Sequence, residues 1–186
     1  PDNIWYEEAL QTVEFLKNIN TGKANIIGTS GGALVGINCA LLSHERINRV
    51  IADSFEGEYA LDIIAETIDN ERENSKSDNN MVRFWKENHG KDWEAVVDMD
   101  TKAIIKHYKK VKNFLQKKLS ELKVPVLLTG SLEDEYAEYI SFEENYKKML
   151  EKLPDGKMYL FKKGGHPAFI TAGNEFFQTA KEFFTK

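Results

Sequence analysis

The stretch "NIIGTSGGALVGI", Asn25 to Ile37, constrains the fold more than any other part of the chain. An apolar run of β type ends at Ile27, small residues follow, and an apolar run of helical type starts at once. Gly28-Thr29-Ser30-Gly31-Gly32 therefore predicts a tight strand-to-helix turn. Three uses fit such a turn. It can be a plain connection, a loop cradling a phosphate, or a turn holding a nucleophilic serine. The pattern G-x-S-x-G matches the third, in which small neighbours leave room for a sharply bent backbone and the serine hydroxyl stands at the tip. A P-loop would need a lysine that is absent, and the glycine spacing departs from G-x-G-x-x-G. Asp53, at the end of the next strand, keeps a dinucleotide loop open as a minor reading.

The rest of the chain repeats the alternation of strand and helix. Residues 24–28 ("ANIIG"), 48–54 ("NRVIADS"), 124–130 ("VPVLLTG") and 157–163 ("KMYLFKK") read as strands. The unbroken apolar run of the third suits a strand covered on both faces. Helical spacing marks residues 3–19, 31–43, 138–153 and 169–185, with more helix between 56 and 119. This order predicts an α/β fold, a parallel sheet with flanking helices. About seventy residues separate the second and third strands where a dozen or more would suffice, so a helical insertion is expected at about 55–120 in one domain spanning 1–186. Within it, Met81, Phe84, Trp85, Trp93 and Tyr108 are candidates for an apolar acyl pocket or for plain helix core. The polar run "NERENSKSDNN", residues 70–80, predicts a mobile surface loop, and "HYKKVKNFLQKK" a solvated helix face.

Composition excludes some function classes. Thirty acidic against 25 basic residues give a net charge of −5, which argues against nucleic acid or an anionic membrane as the main partner. The single cysteine, Cys39, cannot form an internal disulfide and sits in an apolar run as a small core residue. No Cys/His spacing marks a zinc site, and no apolar stretch reaches membrane length. A cytoplasmic location is expected.

A nucleophilic serine needs a base and a group to orient it. Of four histidines, His44 lies in a charged junction, His89 at a helix end and His107 in a lysine-rich helix. His166 in "KKGGHPAF" follows the fourth strand directly, which puts it at the same sheet edge as Ser30. The loop after the third strand, "TGSLEDEYAEY", offers Glu133, Asp134 and Glu135. The order Ser30, Asp134, His166 is nucleophile, acid, base.

With these residues in place the chain resembles the α/β-hydrolase superfamily. The resemblance rests on "IIGTSGGALVGINCALLSHERINRVIA", "VPVLLTGSLEDEYA" and "GGHPAFITAGNEFFQTAKEFF", and looks closest to the small esterase-like, valacyclovir-hydrolase-like branch. It implies Ser30 as nucleophile, His166 as base, Asp134 as acid and the Gly31 N–H as one oxyanion donor. Strict spacing from Gly130 would select Glu133 instead, and a variant with the acid after the preceding strand would select Asp53. The implied activity is cleavage of an ester, thioester or amide of a small-molecule acyl substrate, with no metal or organic cofactor. The alternative is a non-catalytic ligand-binding or interaction module on the same scaffold. The family's upstream strands and its second oxyanion loop have no counterpart here, so the chain is expected to be the C-terminal part of a longer protein. Alone, it is expected to leave the nucleophile strand with an open edge, and to be a poor catalyst, to form a homo-oligomer or pair with the missing segment, or both.

Overall fold

In the computed structural model, residues 2–19 and 22–185 are described. Strands β1 (Ala24–Thr29), β2 (Ile47–Asp53), β3 (Val126–Ser131) and β4 (Gly156–Phe161) form one sheet in the order β1-β2-β3-β4. All three pairings are parallel. Each strand lies within a few residues of its expected place. The register sets Thr29 beside Asp53, and Ser131 beside Phe161, so all four strands end at one edge.

Helices cover both faces of this sheet, as a parallel sheet requires. Helix α2 (Gly31–Leu42) is apolar nearly all round and packs on β1 and β2. Gly36 permits the approach, since a Cβ there would stand 3.1 Å from Ile26 and 3.3 Å from Val50. On the opposite face Ile51, Leu127 and Phe161 pack with Phe176, Ala180 and Phe183 of α8 (Gly173–Phe184). Helix α1 (Ile4–Asn18) reaches α2 through Ala9, whose carbonyl accepts from Cys39 Sγ. Burial pushes the Cys39 thiol up to about 11, so it stays protonated as a core group. The expected helix 169–185 is two helices, α7 (Ala168–Thr171) and α8, with Ala172 between them and Gly173, at φ 49°, opening the second.

By its contacts the chain divides into two compact units, and Ala60–Lys112 with the first residues of the chain makes up the smaller. That unit holds α3 (Asp62–Ser75), α4 (Asn79–His89) and α5 (Trp93–Lys110). Trp85 and Trp93 stack with ring centres 5.5 Å apart and, with Val97, form its buried core. The indoles thus belong to a helical core, while Phe84 lies exposed.

Two local expectations are corrected here. Residues 70–80 are mostly helix, because α3 runs to Ser75 and Asp78 caps α4 through the N–H of Asn80 at 2.7 Å. Cross-helix ion pairs hold this stretch: Lys76 meets Asp98 at 2.6 Å and also Glu73, and Arg72 meets Asp100 at 3.2 Å. The lysine-rich stretch is not one solvated helix face. Helix α5 stops at Lys110, Lys112 takes φ 60°, and both His107 and Phe114 are fully buried. Among the described residues no helix is long and apolar enough to cross a membrane.

Candidate active site

Ser30 occupies the single residue between β1 and α2, with φ 52° and ψ −125°. A non-glycine residue pays roughly 1–3 kcal/mol for such a backbone, and the surroundings must hold it there. The Ser30 N–H donates to the Asp53 carbonyl at 2.8 Å, and the Ser30 carbonyl accepts from Ala33 N–H at 3.0 Å. Gly28 is required by the same turn: a Cβ there would lie 2.0 Å from the Gly32 carbonyl oxygen. Serine at a helix N-cap ordinarily bonds the first turn. Ser30 does not cap α2, and its exposed side chain projects from the sheet edge. The N–H of Gly31 begins α2, where the helix supplies no acceptor and negative charge is favoured.

The loop between β3 and α6 (Phe142–Leu150) holds the candidate acid. Asp134 is buried, and its Oδ2 lies 2.9 Å from His166 Nδ1. Its Oδ1 accepts the Tyr136 N–H at 2.9 Å, which fixes the carboxylate plane. A carboxylate has only acceptors, so neutral His166 carries its proton on Nδ1 and leaves Nε2 as the basic nitrogen. The Tyr136 ring stands edge-on to the imidazole, with centres 4.9 Å apart.

Further bonds lace the acid loop to the histidine loop. Ser131 Oγ donates to the Gly164 carbonyl and accepts from Glu133 N–H at 3.2 Å. Glu135 Oε2 accepts the His166 N–H at 2.5 Å. In the histidine loop Gly164 takes φ 116°, which favours glycine, and a Cβ at Gly165 would displace the Glu135 carboxylate, 2.6 Å away. Neither Ser131 nor the backbone role of Glu135 was legible in the sequence, where both read as ordinary loop polar residues.

Of the three candidate acids, Asp134 is the one whose carboxylate meets His166. Glu133 is exposed. Asp53 is fully buried beneath the site and bonded to Thr29, Thr129 and the Phe169 N–H. Burial raises its carboxyl above the usual aspartate range, against the pull of the Phe169 N–H and the Thr129, Thr29 and Ser54 hydroxyls. So placed, it cannot reach out to a ribose, which removes the dinucleotide reading. Among the described residues no group of three or more His, Cys, Asp or Glu side chains is placed to hold a metal ion.

This architecture, a four-stranded parallel sheet flanked by helices, is part of the α/β-hydrolase fold. Over its whole length the chain is similar to 72% of CarC, a serine hydrolase involved in carbazole degradation, with a TM-score of 0.72 and 19% identity. It is likewise similar to 78% of NosK from Streptomyces actuosus, with a TM-score of 0.74 and 14% identity. Ninety-nine per cent of the chain matches 67% of naproxen esterase (carboxylesterase NP) from Bacillus subtilis, with a TM-score of 0.65 and 16% identity. No known protein family and no curated protein matches the chain by sequence.

Proposed function

We propose that the protein is a serine hydrolase that cleaves an ester, thioester or amide bond through an acyl-enzyme. The observation that carries this reading is the 2.9 Å contact of His166 Nδ1 with a buried Asp134, on the sheet edge where Ser30 leaves its hydroxyl unused by the helix. Ser30 Oγ attacks the acyl carbonyl carbon while His166 Nε2 takes its proton. Asp134 stabilises the imidazolium that forms. The Gly31 N–H donates to the developing oxyanion, and loss of such a donor costs about 10²–10³ in rate. His166 then returns the proton to the leaving group, which departs as the carbonyl re-forms. Water, giving its proton to Nε2, attacks the acyl-serine, and collapse releases the acid and restores Ser30.

A fluorophosphonate probe tests this directly. The protein should be labelled, and Ser30→Ala should abolish labelling. An unlabelled full-length natural protein, or equal labelling of Ser30→Ala, would overturn the proposal in favour of a non-catalytic binding or interaction module.

A further inference from the structure

Asp53 closes β2, is fully buried, and touches both halves of the proposed machinery. Its carbonyl accepts the Ser30 N–H at 2.8 Å. Its Oδ2 accepts from Thr29 Oγ1, in the residue just before Ser30, at 3.1 Å, and from the Phe169 N–H, shortly after His166, at 2.9 Å. Its Oδ1 accepts from Thr129 Oγ1 of the acid-bearing strand at 2.7 Å. The next residue adds a parallel tie, since Ser54 Oγ accepts the Ala168 N–H at 2.9 Å.

Burying a carboxylate is costly unless donors surround it. Here the donors come from three separate segments, and two of them flank Ser30 and His166. The Ser30 turn is strained and relies on its neighbours to keep its shape. The histidine loop carries two consecutive glycines, one at φ 116°, so its own backbone does little to fix its path. Building on the hydrolase reading above, we propose that Asp53 is a positioning residue. It ties the nucleophile turn and the histidine loop to one point on the sheet, and so sets the distance between Ser30 Oγ and His166 Nε2. It touches no substrate, and it is not the acid that orients the base.

Removing the tether should slow chemistry without weakening substrate binding, since a displacement on the order of 1 Å can cost about 10²-fold in rate. The experiment measures fluorophosphonate labelling of Ser30 together with kcat and KM on p-nitrophenyl acetate. Asp53→Ala, where folded, should lower kcat and the labelling rate by roughly 10- to 100-fold and leave KM within a few-fold. Asp53→Asn should restore most of the loss. Its amide oxygen can accept from Thr29 and Phe169, and its amide N–H₂ can donate to Thr129 Oγ1.

Folded Asp53→Ala with wild-type kcat overturns the inference, as does Asp53→Asn that is as slow as Asp53→Ala. If Asp53→Ala does not fold, Thr129→Val decides. A several-fold loss of kcat at unchanged KM supports the tether, and wild-type kcat overturns it. A full-length natural protein that the probe does not label fails the hydrolase reading itself, and the positioning role falls with it.

Discussion

His166 and Asp134 meet through Nδ1 and Oδ2 at 2.9 Å, and the aspartate side chain is completely sheltered from solvent. This contact separates the acid candidates. Asp134→Asn should lower kcat/KM by roughly 10⁴-fold, because an amide cannot hold the imidazole in the tautomer that leaves Nε2 basic. Glu133→Gln should stay within a few-fold of wild type. Steady-state kinetics of the two variants check this, and the reverse pattern would reassign the acid.

The Gly28 backbone leaves no space for a side chain, with the Gly32 carbonyl oxygen 2.0 Å from where a Cβ would stand. Gly28→Ala must therefore push α2 away from β1. Overpacking of this kind should cost about 3 kcal/mol, which urea unfolding measures. A loss below about 1 kcal/mol would mean that the turn relaxes freely.

The buried Asp53 makes stability depend on pH in a defined direction. Its folded-state pKa is raised, chiefly by burial. Below the unfolded pKa both states are protonated and the group carries no cost. As pH rises through the folded pKa, the folded state must hold a desolvated charge and loses stability relative to the unfolded chain. Asp53→Asn removes that cost. The stability of Asp53→Asn relative to wild type should therefore increase from acid to neutral pH, as denaturant titrations at several pH values would reveal. A constant or falling difference would contradict the raised pKa.

Strand β1 pairs with β2 on one side, and among the described residues no strand pairs its other side. Ile27 on that strand is 43% exposed, and Leu10 and Phe15 of α1 are exposed as well. An open edge with apolar neighbours recruits other chains. Sedimentation velocity should show association that grows with concentration, and Ile27→Lys should weaken it. A single monomeric species at every loading would argue against association through this edge.

Much of the fold is legible in local pattern. Apolar runs of strand length, separated by helical spacing, locate all four strands. The small residues around Ser30 announce the turn, and the loop placement of His166 follows from the strand before it. Residues 70–80 read as a loop because their polarity is that of a loop. Their helices depend on the Asp78 cap and on pairing of Arg72 and Lys76 with aspartates of α5, partners 22 to 28 residues away. Such contacts leave no mark on local composition. The break before Gly173 was visible only as a glycine, and only its positive φ shows that a second helix opens there.

The acid illustrates where local reasoning ends. The resemblance favours Asp134, but as letters Glu133 and Asp53 stay open, since all three stand at or just beyond strand ends on the right edge. The sequence by itself determined that a serine, a histidine and a supply of carboxylates would gather at that edge, because parallel strands bring all their carboxyl ends together. Only the tertiary structure decided which carboxylate turns inward to His166, which stays in solvent, and which is buried among threonines beneath them. Side-chain direction in a loop depends on bonds made across the chain, here from Glu135 to the His166 backbone and from Ser131 to Gly164.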